Sequence, residues 1–198
     1  MTKKNIILAS QSPRRREILN SLRVPFIVIY PDVEELHPPD SGPDEIVMLN
    51  AEKKAQDLLK RCKNTYIIGS DTIVYFNGEI LTKPADFNQA KEFLLKLSGR
   101  THTVYSGVAV YDSDSKRVEQ DFCTTDVTFR KLDEHQIERY IHLVHPYDKA
   151  GAYAIQGCGA LIVERIDGCF YNVMGLPVIT LDTVFLRFGY SLFDYVMP

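Results

Sequence analysis

The chain has 198 residues, 45% hydrophobic, 25% charged and 11% aromatic, a composition that excludes a disordered chain, a collagen-like repeat and a disulfide-dense mini-protein. Its net charge of -3 gives no general grip on nucleic acid. Residues 1–23 differ: Lys3, Lys4, Arg14, Arg15, Arg16 and Arg23 stand against Glu17, a local +5 that points to an anionic substrate.

Asn5 to Ala9 is a short apolar run and reads as a buried first strand. Ser12 and Pro13 follow as helix N-cap and first helical residue, and Ile18, Leu19 and Leu22 share one face of a helix over residues 14–23. Residues 26–30 read as a second strand and 31–43 as a polar, proline-rich loop. Pro43 and Asp44 open a long helix with Ile46, Val47, Leu49, Ala55, Leu58 and Leu59 at helical spacing. Residues 65–70 read as a buried strand ending in a turn at Gly69-Ser70-Asp71-Thr72. Ile73 to Leu81 predicts a hairpin around Asn77-Gly78. A helix over 86–97 stops before Gly99. Strands are expected at 101–112 and 117–130, a helix over 132–144, a strand over 160–166 and a last helix over 176–188. This order predicts an α/β class, a mixed sheet flanked by helices, built as a single domain over residues 1–198.

No stretch reaches the roughly 20 apolar residues that span a bilayer. Met1-Thr2-Lys3-Lys4 leads into only five apolar or small residues before Ser10, so a secretory leader is not expected. Cys62, Cys123, Cys158 and Cys169 include no C-x-x-C pair, and the expectation is a cytoplasmic protein with reduced thiols.

Several familiar chemistries are missing from the sequence. There is no phosphate loop of the G-x-x-x-x-G-K-[ST] type, no G-x-G-x-x-G, no H-E-x-x-H and no G-x-S-x-G. His142 and His145 stand three apart, a spacing more often found on a solvated helix end than in a metal site. The strongest local signal is Ser10-Gln11-Ser12-Pro13-Arg14-Arg15, where a strand delivers hydroxyls and two guanidinium forks to a helix N-terminus. Asp71, following a buried strand, is placed to hold a hard cation or to take a proton from water. Glu34 or Glu35 offers a second carboxylate. Lys53, Lys83 and Lys149 add positive charge, and Gln156, in a glycine-rich run, could read a base edge. Together these residues describe a metal-dependent site for a polyphosphate with a polar head group.

Six blocks resemble the Maf family of nucleoside triphosphate pyrophosphatases. They are Ala9-Ser10-Gln11-Ser12-Pro13-Arg14-Arg15, Gly69-Ser70-Asp71-Thr72, Lys83-Pro84, Leu97-Ser98-Gly99-Arg100-Thr101-His102, Asp148-Lys149-Ala150-Gly151-Ala152-Tyr153 and Asn172-Val173-Met174-Gly175-Leu176-Pro177. The resemblance implies a two-lobed fold similar to inosine triphosphatases, with the active cleft between lobes. It implies hydrolysis between the α and β phosphates, releasing a nucleoside monophosphate and pyrophosphate. Asp71 matches the family's proton acceptor; Ser10, Arg15, Lys53 and Lys83 match phosphate-binding residues. Asp71 and Glu35 match the metal region, and a divalent cation (Mg²⁺, Mn²⁺ or similar) is the implied cofactor. Arg14, Thr72 and Gln156 are similar to the branch that prefers dTTP and UTP. The family also implies a homodimer, with no nucleic-acid or membrane partner. A non-catalytic, nucleotide-sensing role in cell division is the alternative, argued against by Asp71, Lys83 and Arg15 being intact. The pair Asn50-Ala51 departs from the family's leucine-alanine, at a position expected to stand clear of the chemistry.

Overall fold

In the computed structural model, which describes residues 3–198, the first strand, β1 (Asn5–Ala9), leads into α1 (Pro13–Ser21) and β2 (Ile27–Ile29). Then come α2 (Pro43–Gln56), β3 (Thr65–Phe76), β4 (Glu79–Leu81), α3 (Phe87–Leu97), β5 (Thr101–Asp112), β6 (Val118–Phe129) and α4 (Glu134–Val144). The chain continues through β7 (Val163–Gly168), α5 (Phe170–Met174) and α6 (Val178–Leu186). Met1 and Thr2, which open the stretch where no leader is expected, lie outside the described residues. The strands form one mixed sheet in the order β2-β1-β3-β5-β6-β7, with β4 paired to β3. This is the expected α/β class. No helix among the described residues is long and apolar enough to cross a membrane.

Contacts divide the chain into two compact units. One takes the residues through Asp71 with Ser106–Cys123 and Gly175–Pro198; the other takes Thr72–Tyr105 and Thr124–Met174. In the first unit β1 runs parallel to both β2 and β3. Helix α2 packs directly on the strands at two glycines. A Cβ at Gly69 would lie 2.0 Å from the Ala51 carbonyl oxygen, and one at Gly107 would lie 2.4 Å from that of Val47. Only a missing side chain lets helix backbone and strand backbone meet so closely.

The second unit has its own core, in which Phe93, Leu94 and Leu97 of α3 meet Ile137, Tyr140 and Ile141 of α4 over Val104, Val127 and Phe129. Asp86 and Asp133 cap α3 and α4, each accepting the backbone N–H three residues on, from Gln89 and Gln136. Asn77 and Gly78 both have positive φ, 49° and 86°, the conformation of the predicted hairpin turn between β3 and β4.

Three expectations are corrected. No turn interrupts residues 69–72; β3 runs straight through them. The Asp71 carboxylate bonds to side chains of α2 rather than to its own backbone, and β4 supplies a ladder for residues 74–76. Strand β7 starts at Val163 because Gly157–Leu161 coils into a 3-10 turn. The last helix is shorter than 176–188, with Pro177 as its N-cap, and α5 was not foreseen.

Candidate active site

The parallel pairing puts three chain segments at one edge. Ala9, the last residue of β1, stands opposite Ile29 of β2 and Gly69 of β3. The residues just beyond these three positions therefore gather where the parallel pairing of β1 with β2 and β3 ends, although β3 itself runs on to Phe76; open α/β sheets gather ligands at the carboxyl ends of their parallel strands. Those segments carry Ser10, the loop with Glu34 and Glu35, and the Ser70-Asp71 pair.

The loop after β2 is an extended strap lying along α2. Asp57 accepts the Asp32 backbone N–H at 3.2 Å, the Lys53 ammonium donates to the Glu34 carbonyl at 2.9 Å, and the Asn50 amide pairs with Leu36 at 2.8 and 2.9 Å. The strap advances two residues for each helical step of three or four, so alternate strap residues 32, 34 and 36 meet α2 through their backbone. Glu35, between them, turns its carboxylate to Lys54, whose Nζ lies 2.6 Å from Oε1. Of the two glutamates it is Glu35 whose carboxylate meets Lys54 beside Asp71, while Glu34 meets α2 through its backbone carbonyl.

Asp71 is buried and shares that cation. Lys54 Nζ lies 2.7 Å from Asp71 Oδ1, and Asn50 Nδ2 donates to Oδ2 at 3.2 Å. Lys53 does not join them, because its ammonium is committed to the strap backbone. Asn50 and Lys54 were both missed from the sequence. A signal existed: Ile46, Val47, Asn50, Ala51, Lys54 and Ala55 are the buried residues of α2, one stripe at helical spacing. Lys53 is a 100° step away from it. The expectation that Asn50 stands clear of the chemistry is also overturned, since it touches Asp71.

On the α1 side, Ser12 caps the helix by accepting the Arg15 N–H at 3.4 Å, and Pro13 opens it. Ser10 Oγ accepts the Ser12 N–H at 3.1 Å and an Arg15 guanidinium N–H at 3.3 Å. Arg15 Nε and Ser70 Oγ both donate to the Gly175 carbonyl, at 2.7 and 3.0 Å. Burial pushes the Arg15 guanidinium below its ordinary value, while the Asp71 and Glu35 carboxylates support its charge. Ser10 and Arg15 are thus held beside the capped N-terminus of α1, a place suited to anionic oxygen.

Arg14 lies half-buried on α1. The other predicted residues belong to the second unit. Thr72 is half-buried in β3, next in chain to Asp71. Lys83 is exposed between β4 and α3, and the neighbouring Thr82 carbonyl accepts the Gly151 N–H at 3.2 Å. Gly151 has φ 67°, and a Cβ there would lie 3.0 Å from Val74 Cγ2. Gln156 is exposed at the head of the 157–161 turn. His142 stacks on Phe87 at 5.1 Å, and His145 closes α4 in the left-handed conformation.

Among the described residues no group of three or more His, Cys, Asp or Glu side chains is arranged to hold a metal. Two carboxylates, Asp71 and Glu35, nevertheless converge on one ammonium. That donor set fits a magnesium-type ion, which takes one or two carboxylates and completes its shell with phosphate and water oxygens.

The family described as Maf-like protein matches residues 5–188. A protein of Caldicellulosiruptor saccharolyticus named dTTP/UTP pyrophosphatase is 42% identical over 193 residues, covering 96% of this chain and 97% of its own. Proteins of the same name from Dictyoglomus thermophilum and Bacillus velezensis are 46% and 48% identical. They cover 96% and 88% of this chain and 99% and 92% of their own. Among solved structures, the Staphylococcus aureus Ham1 protein aligns with a TM-score of 0.46 and 20% identity, over 64% of this chain and 72% of that one.

Proposed function

This chain belongs to the Maf family, and on that premise we propose that it hydrolyses dTTP and UTP between the α and β phosphates, releasing the nucleoside monophosphate and pyrophosphate. The observation that carries the reading is the convergence of Asp71 and Glu35 on one cation position beside buried Arg15. The names of the relatives support the nucleotides and a pyrophosphatase activity, and the family resemblance supports the bond between the α and β phosphates.

In this reading Asp71 takes the proton of the attacking water, a role that a buried carboxylate held at both oxygens by Lys54 and Asn50 suits. Asp71 and Glu35 would hold the divalent cation, which when bound neutralises phosphate charge and lowers the cost of attack at phosphorus. Arg15, Ser10 and the α1 N-terminus bind phosphate oxygens, and the Lys54 ammonium supplies charge to the leaving pyrophosphate. The family resemblance supports a phosphate role for Lys83 and a base-reading role for Arg14, Thr72 and Gln156. A glutamine amide both donates and accepts, as the N3–H and carbonyl edge shared by uracil and thymine requires. The same resemblance supports a cytoplasmic homodimer, which light scattering on the purified protein checks for its oligomeric part.

The test is a nucleotide panel with product identification, run with Mg²⁺, with Mn²⁺ and after chelation. Monophosphate and pyrophosphate should appear from dTTP and UTP only with metal. Asp71→Asn should bind nucleotide and lose most turnover; turnover at the wild-type rate would remove Asp71 from the mechanism.

A further inference from the structure

Asn50 is almost fully buried, at 1% exposure, in a helix stripe otherwise filled by aliphatic residues and Lys54. A buried amide costs stability unless its polar atoms are paired. Here Oδ1 accepts the Leu36 backbone N–H at 2.8 Å, and Nδ2 donates to the Leu36 carbonyl at 2.9 Å and to Asp71 Oδ2 at 3.2 Å. Both Nδ2 protons are used.

The pairing with Leu36 also decides which way the amide faces. A flipped amide would set nitrogen against the Leu36 N–H and oxygen against its carbonyl, losing both bonds. With that orientation set, the second proton of Nδ2 goes to Asp71 and nothing else. One side chain thus ties the strap, at the residue after Glu35, to the carboxylate of Asp71. The two Asp71 oxygens become distinct: Oδ1 faces the charged Lys54, and Oδ2 is held by a neutral donor that keeps its proton.

We propose that Asn50 is a positioning residue for the hydrolysis, holding Asp71 in one rotamer and registering the Glu35 strap against it. The inference rests on the reading of Asp71 as proton acceptor. It explains why a polar residue occupies this place in the buried stripe, where an aliphatic one would pack without needing three hydrogen bonds. Positioning of a general base acts on the chemical step, because an error of about 1 Å in a reacting group costs on the order of 100-fold in rate. Substrate binding, carried by other side chains, should change little.

Asn50→Leu, which installs the residue the family carries here, removes all three bonds while keeping the volume and so tests whether this chain depends on its amide. Asn50→Asp keeps the shape and the acceptor for the Leu36 N–H, but removes both donors and sets a carboxylate against Asp71. The experiment measures kcat and KM for dTTP with Mg²⁺, the thermal midpoint, and the folded fraction at assay temperature, for both variants and for Asp71→Asn. Both Asn50 variants should lose about 10- to 100-fold in kcat, with KM within about 3-fold and the protein folded. If one fails to fold, the other decides. A thermal midpoint that falls while kcat stays within about 2-fold would make Asn50 a packing residue only, and a rise in KM alone would place it in substrate binding; either overturns the proposal. If Asp71→Asn is inactive while the Asn50 variants match wild type, only this inference fails. If Asp71→Asn turns over dTTP like wild type, the reading beneath it fails.

Discussion

Lys54 Nζ lies 2.7 Å from Asp71 Oδ1, in a pair where both side chains are about nine-tenths buried. The same ammonium is 2.6 Å from Glu35, whose side chain is one-third exposed. One ammonium thus bridges two carboxylates whose charge also supports that of Arg15. Removing it leaves two neighbouring like charges, one of them buried.

Lys54→Met should therefore cost about 3 kcal/mol of stability and about 100-fold or more in turnover. Lys53→Met should leave turnover within about 3-fold, since that side chain serves the strap backbone. Paired kinetics and denaturant titrations of the two variants check this. Equal losses at both positions would contradict the geometry.

Helix α2 can carry its carboxylate partners only because it lies directly on β3. Gly69→Ala would drive a methyl into the Ala51 carbonyl oxygen, and backbone cannot swing aside as a side chain would. About 3 kcal/mol of destabilisation is expected. Gly78→Ala meets open space and loses only the positive-φ preference, about 1 kcal/mol. Thermal midpoints should rank the two accordingly.

His102 gives the second unit a pH dependence. Its ring is buried between Phe129 and Tyr153, with Nε2 2.8 Å from the Tyr153 hydroxyl. Burial pushes its pKa down from 6.5 to about 4, so the folded protein holds it neutral. Between those values the unfolded chain binds a proton that the folded chain refuses. Stability from this group is complete above pH 6.5 and is lost as pH falls toward 4, by about 3 kcal/mol in all. Urea titrations across that range should show the slope, and His102→Gln should flatten it.

Gln156 is exposed, so Gln156→Glu should leave the fold intact. A carboxylate only accepts hydrogen bonds, which suits the donor edge of guanine and not the mixed edge of thymine. The ratio of dTTP to dGTP turnover should fall by about 10-fold. An unchanged ratio would take Gln156 out of base recognition.

Much of the architecture was legible because its signals are local. The Ser12 cap with Pro13, the Asn77-Gly78 turn and the helical stripes of α3 and α4 each depend on a few neighbouring residues, and each stands where the sequence put it. The reading of residues 69–72 failed for the opposite reason. Gly, Ser and Asp favour turns when their side chains must find partners nearby. Here Ser70 bonds to Gly175, more than a hundred residues on, and Asp71 bonds to α2.

The basic N-terminal stretch divides by placement. Arg15 is buried against the site, whereas Arg23 is exposed. The sequence by itself determined the α/β class, the anion-suited helix start after Ser12 and the carboxylates near it, since strand, cap and turn preferences act over a few residues. Only the tertiary structure decided that Lys54 and not Lys53 meets Asp71, that Glu35 and not Glu34 turns inward, and that Asn50 joins strap to carboxylate. Those choices depend on which face α2 lays on β3 and on how the strap registers along it. A shift of one residue rotates a helix side chain by 100° and reverses a strap side chain, a distinction set by the packing of distant segments at Gly69 and Gly107.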